Sequence, residues 1–256
     1  TSLKAQSVCT IDDAELRYIG NHIAILEDLQ DTFTIQQVAD MSFNIIDTAS
    51  ILHLGSSSSS FWLKFTIRNE LNQATKLSVD QALINYLKLY KQLKNRLFES
   101  VELGEHLPFY HRKYPHPVYI FDLNLDKNQT ATYYLKVKSD ENNTLPVAVS
   151  SEIELEKYLS NKDVFMGWFL GVMMVMFLYN FFVFISVRDK SYLYYVIYLA
   201  TVCITQLSIQ GYTFKYIWPN QTDWVQKATI IFACIATFFA IIFVQSFLKL
   251  KKQSPR

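Results

Sequence analysis

Apolar and polar residues alternate through Phe61–Arg68 (FWLKFTIR). Phe61, Leu63, Phe65 and Ile67 fall on one side, and Trp62, Lys64, Thr66 and Arg68 on the other. A period of two is that of a half-buried β-strand. Tyr133, Leu135 and Val137 alternate with Tyr134, Lys136 and Lys138 in the same way. Leu77–Val79, Tyr86–Leu93, Val118–Leu123 and Pro146–Ile153 are further strand candidates. Turn-rich stretches at Asn69–Gln73, Asp126–Thr130 and Asp140–Thr144 separate the strands. Many short strands punctuated by turns predict an antiparallel β-sandwich over residues 1–151. Ile35–Ala39 is ambiguous between a strand and a short helix capped by Thr34. Ser56–Ser60 is a low-complexity loop.

The pattern changes at Asp163/Val164. Val164–Val187 is a 24-residue run without a charge. At about 1.5 Å per residue it makes a helix of roughly 36 Å, enough to cross a bilayer core of about 30 Å. Tyr192–Gln210 and Ala228–Leu248 are two more apolar runs of spanning length. The chain therefore reads as a front domain, a polar connector over 152–163 and an all-α membrane domain over 164–256 with three spans. Gly167 and Gly171 form a small-xxx-small pair that lets helices approach closely. Asn180, Gln206 and Gln245 are uncharged polar residues inside spans, and each needs a hydrogen-bond partner there. The spans carry no charge, which argues against a pump or an ion-coupled transporter.

Charge gives the spans a direction. Residues 1–163 hold 16 cations and 21 acids, a net of −5, whereas residues 164–256 hold 8 cations and 2 acids, a net of +6. The basic positions cluster in the short Arg188–Lys190 loop and in the tail at Lys249, Lys251, Lys252 and Arg256. The positive-inside rule places that loop and the C-terminus in the cytoplasm, with the front domain outside. Tyr212, Tyr216, Trp218 and Trp224 suit the outer headgroup level. An acidic front domain argues against nucleic acid as a partner. Cys9 is the one cysteine of the front domain, so no disulfide forms within it; Cys203 and Cys234 read as inert core thiols. An exported front domain requires a leader ahead of it, and none is visible in Thr1–Thr10.

Candidate chemistry is sparse. His106, His111 and His116 are five residues apart, which suits neither one helix face nor one strand face for a metal. No metal or cofactor is expected. Tyr110, Arg112 and His116 lie in a segment (FYHRKYPH) that mixes aromatic planes with cations, as a sugar-binding site does. Trp62 and Arg68 share a strand face, and Trp62 is a candidate stacking platform if that face is open. Glu102, Glu105, Asp122 and Asp126 form no recognisable acid–base pair, and no nucleophile motif or phosphate-binding glycine loop is present. The chain is not expected to be an enzyme.

Several ordered stretches carry a resemblance. FWLKFTIRN (Phe61–Asn69), LPFYHRKYPHPVYIFDL (Leu107–Leu123), TYYLKVKS (Thr132–Ser139) and LPVAVSS (Leu145–Ser151) resemble extracellular domain type 2 of a bacterial receptor family. That family is the seven-transmembrane receptors with diverse intracellular signalling modules. Gly167–Tyr198, Gln210–Pro219 and Phe247–Lys252 resemble its membrane region. The resemblance implies a jelly-roll-like β-sandwich similar to carbohydrate-binding modules, facing the periplasm. It also implies a helical segment in the inner membrane, and an output module such as a histidine kinase or diguanylate cyclase in the full receptor. Three spans rather than seven lead us to expect the front part of a longer receptor, the alternative being a natural short form.

The functional expectation is a sensor that binds an extracellular ligand, a carbohydrate or other small molecule, and relays it inward. Membrane lipid and a protein partner or second copy are the expected surroundings. A non-enzymatic envelope scaffold that docks protein is the competing reading.

Overall fold

The computed structural model describes residues 8–45, 50–55, 59–93, 96–139 and 144–248. Most of the serine loop, most of the Asp140–Thr144 turn and the basic tail from Lys249 lie outside the described residues. The chain divides into two compact units, Thr1–Tyr158 and Leu159–Arg256.

The first unit is a β-sandwich. Its strands are β1 (Cys9–Ile11), β2 (Arg17–Tyr18), β3 (Ala24–Asp28), β4 (Asn44–Ile45), β5 (Leu52–His53), β6 (Ser60–Asn69) and β7 (Thr75–Val79). They continue as β8 (Tyr86–Gln92), β9 (Phe98–Leu103), β10 (Tyr119–Asp122), β11 (Thr130–Lys138), β12 (Thr144–Leu145) and β13 (Val147–Ser151). The larger sheet has the order β4-β3-β6-β11-β8-β9, with β1 parallel to the end of β6. The smaller sheet runs β10-β7-β13-β2, and β12 pairs with β5.

Alternation decides which side chains meet between the sheets. Phe61, Leu63, Phe65 and Ile67 of β6 and Tyr133, Leu135 and Val137 of β11 point inward. They meet Leu77, Val79, Tyr119, Phe121, Val147 and Val149 from the smaller sheet. Phe65 and Tyr133 stack with ring centroids 5.8 Å apart. The six strands expected from periodicity are all present. Polar or very short strands such as β9 and β2 carry too few alternating positions to be read in advance.

Helix α1 (Ile35–Asp40) resolves the ambiguous segment. Gln37 Oε1 accepts from the Thr34 backbone N–H at 2.9 Å and from the Thr34 hydroxyl at 3.0 Å, which ties down the first turn. The helix lays Ile35 and Val38 over Trp62 and Tyr134, on the outer side of the larger sheet. That cover makes a second, small core and leaves Trp62 1% exposed.

β13 passes into helix α2 (Glu152–Val187) without a linker. Ser151 Oγ accepts from the Glu154 N–H at 3.3 Å, and Glu152 and Glu154 place negative charge on the first turn. The segment 152–163, expected as a connector, is therefore the start of a single 36-residue helix. In the second unit α3 (Lys190–Ile209), α4 (Tyr212–Tyr216) and α5 (Thr222–Phe247) follow. Helices α2, α3 and α5 are long and apolar enough to cross a membrane. Helix α5 starts six residues before its apolar run, because Thr222–Lys227 winds as a polar first turn and a half.

Helix α3 packs along α5, and a Ser191–Ser246 hydroxyl pair at 2.9 Å bridges them. Tyr212 of α4 donates to Asp163 of α2 at 2.5 Å. No atom lies within 4 Å of a Cβ built on Gly167 or Gly171, so no helix among the described residues seats on this pair. Asn180 donates to the carbonyl of Met176 in its own helix at 2.7 Å rather than across helices. Cys234, expected in a core, is exposed on α5.

Phe65→Ala removes a fully buried ring from the centre of the sandwich. It is expected to cost about 3–5 kcal/mol, read as a lower urea midpoint for loss of the β-sheet circular dichroism signal.

Candidate ligand-binding face

The outer face of the larger sheet gathers charged and aromatic side chains from four strands. Cross-strand register sets one row, Trp62–Lys136–Lys88–Glu102, across β6, β11, β8 and β9. A neighbouring row is Lys64–Tyr134–Tyr90–Ser100. On the other side of the first row Lys138 stands opposite Tyr86. Aromatic planes and ammonium groups are thus neighbours along each of these strands, while across them Lys136 stands beside Lys88 and Tyr134 beside Tyr90. Lys136 Nζ lies 5.2 Å from the Trp62 ring centroid, Lys64 Nζ 5.5 Å from Tyr134, and Lys88 Nζ 5.6 Å from Tyr90. At these distances the cations are held by the ring quadrupoles. Trp62 and Tyr90 also face each other at 5.6 Å.

Two carboxylates bracket this lattice. Asp31 accepts from Lys136 at 2.5 Å, from Lys138 at 3.0 Å and from the Ser60 hydroxyl at 2.7 Å. It is presented by a turn in which buried Asp28 accepts from the N–H groups of Thr32 (3.1 Å) and Phe33 (2.9 Å). At the opposite end Glu102 accepts from Lys88 at 2.8 Å, His106 Nε2 lies 3.0 Å from it, and the Tyr86 hydroxyl is at 3.3 Å. His106 Nδ1 is 2.8 Å from the Asn85 carbonyl. Gly104, at φ 141°, allows the close approach, since a Cβ there would clash with that same carbonyl.

Electrostatics follow from these contacts. Burial alone would raise the Asp31 carboxyl, but hydrogen bonds from Lys136, Ser60 and Lys138 outweigh it and hold the group at about 2. Burial likewise opposes ionisation of Glu102, and Lys88 and His106 pull its pKa below the usual range. Burial and the Glu102 charge push the Tyr86 phenol up, so it remains a neutral hydroxyl. The face therefore presents fixed charges, neutral phenols and half-open aromatic planes. Such groups suit hydrogen bonding to hydroxyls and stacking on flat apolar surfaces.

The residues singled out from sequence are dispersed. Trp62 is in this face but closed beneath α1, Lys136 and Tyr90, so it is not an open platform. Arg68 lies six residues further along β6, about 20 Å away, and pairs with Glu70 at 3.2 Å. The Arg112 guanidinium is buried between the rings of Phe109 and Tyr119, at 4.7 and 4.2 Å. It donates to the carbonyls of His116 (3.1 Å) and Pro117 (2.8 Å), which makes it a staple for the loop. His116 is buried and accepts from the Val118 N–H at 3.1 Å. Tyr110 alone of that segment's three candidates is open, at 70% exposure, with its ring against His111. The sequence reading missed Asp31, Tyr86, Tyr90 and Lys136 as a group, although alternation had put Lys136 and Lys138 on the face of Tyr134.

Residues 20–151 match the family model described as 7TMR-DISM extracellular 2, and residues 162–256 match that described as 7TM diverse intracellular signalling. The chain belongs to the seven-transmembrane receptors with diverse intracellular signalling. Its sandwich is the extracellular domain of such a receptor, and α2, α3 and α5 are membrane helices. Among curated proteins, none matches the chain. The receptor sandwich thus carries its lysine–aromatic lattice outside the membrane.

Asp31 contributes stability that is complete above its unfolded pKa of about 3.9 and is lost as pH falls towards its folded value of about 2. Asp31→Asn is therefore expected to flatten the decline of the thermal midpoint between about pH 4 and pH 2. Circular dichroism melts at low salt check this, and added salt should shrink the difference because the pairs are partly solvent-screened.

Proposed function

We propose that this chain is the sensing and first membrane portion of a bacterial signal-transduction receptor. Its outer sheet face binds an extracellular polyhydroxylated ligand, a carbohydrate in chemical class. The observation that carries the reading is the gathering of Tyr86, Tyr90 and Lys136 with Asp31 and Glu102 on one sheet face and the turn beside it. Lysines and carboxylates address hydroxyls, while the tyrosine planes address C–H surfaces. Pairing of both carboxylates with lysines supports binding rather than acid–base chemistry, which needs a carboxyl with a raised pKa. The direct run of β13 into α2 supports relay of a sandwich displacement into a helix. A ligand shifts that helix only by binding one state of the sandwich better than another.

The test is binding of the chain in lipid nanodiscs to immobilised neutral oligosaccharides. Tyr90→Ala or Lys136→Ala is expected to weaken the retained glycan at least about tenfold, a loss of about 1.4 kcal/mol. Absence of any bound glycan, or binding insensitive to both changes, sinks the reading. Stoichiometric retention of a protein from native membranes in place of glycan would support the scaffold alternative.

The orientation proposed is an inner-membrane one, with the sandwich periplasmic and the C-terminus cytoplasmic. It rests on Arg188 and Lys190 beside the short α2–α3 turn. A cysteine placed at Arg188 should react with an impermeant maleimide only after the membrane is opened, whereas one placed at Lys127 should react in cells with a permeabilised outer membrane.

A further inference from the structure

The smaller sheet carries a separate cleft of about 600 Å³, within the roughly 300–1,000 Å³ range of small-molecule sites. Its walls are mostly polar. They include three lysines (Lys76, Lys113 and Lys127), two acids (Asp122 and Asp126) and the asparagines Asn72 and Asn124.

Lys76 is the organising group. Its side chain is 8% exposed, and its ammonium spends its three donors on Asp122 (2.5 Å), Tyr114 (2.5 Å) and Glu152 (3.0 Å). Asp122 is held further by Lys113 at 2.5 Å and by the Tyr114 hydroxyl at 2.7 Å. Glu152 is different. It is the longer of the two carboxylate contacts of Lys76, its side chain is 46% exposed against 20% for Asp122, and it is the first residue of α2. Its backbone N–H donates to the carbonyl of Ala74 at 3.1 Å, in the wall of the cleft. The cleft and the start of α2 therefore share one buried lysine, and Glu152 is the partner most open to exchange.

We propose that this cleft binds a small oxyanion, a carboxylate or a phosphate, which takes the place of Glu152 on Lys76 and loosens the first turn of α2. Lys113 and Lys127 flank the entering anion, and Asn72 and Asn124 supply amide donors. The inference builds on the reading that α2 carries the signal, but it uses a different sheet and a different ligand chemistry from the glycan face. By linkage, an acid that competes with the ligand for one lysine lowers the ligand's affinity, and removing that acid raises it.

The experiment is calorimetric titration of the chain in nanodiscs with citrate and, in a second arm, inorganic phosphate, with glycerol as the uncharged control. Glu152→Gln is expected to tighten binding of the preferred anion about fivefold or more, and Lys113→Met to weaken it. Amide exchange over 152–158 should quicken when the anion is bound. The two arms decide between carboxylate and phosphate. No heat from either anion, unchanged affinity in Glu152→Gln, or unchanged exchange over 152–158 overturns the proposal. Lys113 and Glu152 are surface-reaching, so their variants remain folded where Lys76 variants would not. Tyr90→Ala should leave anion binding intact, which separates failure of this site from failure of the glycan face.

Discussion

The β6–β11 pair is buried on its inner face and capped at Trp62 and Tyr134 on its outer one, and the rest of the extracellular domain is arranged around that fact. One face, from Phe61 to Ile67 and Tyr133 to Val137, is the floor of the sandwich core. The other carries Trp62 and Tyr134, which need cover of their own and receive it from Ile35 and Val38 of α1. A one-residue slip of either strand would exchange the two sets of side chains. Register is therefore fixed from both sides at once. This is why Lys136 falls beside Trp62 and Lys88.

The lysines of that lattice would be costly if left alone. Lys136 retains 14% of its side-chain exposure and Lys88 25%. Each is given an aromatic face and a carboxylate, which together replace the lost water. Isolated surface ion pairs contribute little to stability, so the value of these pairs lies in where they hold the groups. Asp31 joins β6 and β11 to the turn after β3, and Glu102 joins β8 and β9 to His106. A half-hydrated surface results, whose polar groups are oriented by one another. The Lys76 cluster repeats this arrangement on the smaller sheet, with one difference of consequence. One of its two carboxylates, Glu152, belongs to the helix that continues into the membrane segment.

The strands and spans were legible in the sequence because their causes are local. A period of two over FWLKFTIR names both the strand and its inward residues, and an uncharged run such as Val164–Val187 declares its solvent. The small core under α1 was not legible, since Trp62 on an alternating strand looks the same whether its face is open or covered. Arg112 and His116 read as site residues because cations among aromatics look alike in a ligand site and in a stapled loop. What separates them is whether backbone carbonyls have already engaged the guanidinium, as those of His116 and Pro117 engage Nη1 here.

Periodicity, charge asymmetry and the ordered stretches shared with a receptor family determined a strand-rich outer domain followed by membrane helices. Only the tertiary structure decided which polar residues act together. Asp31 reaches Lys138 across 107 positions, and Lys76 reaches Glu152 across 76. Contacts of that separation arise from strand order and register, which no local pattern encodes. The seamless passage from β13 to α2 was decided in the same way, by Ser151 capping a helix whose first turn is held to a distant strand.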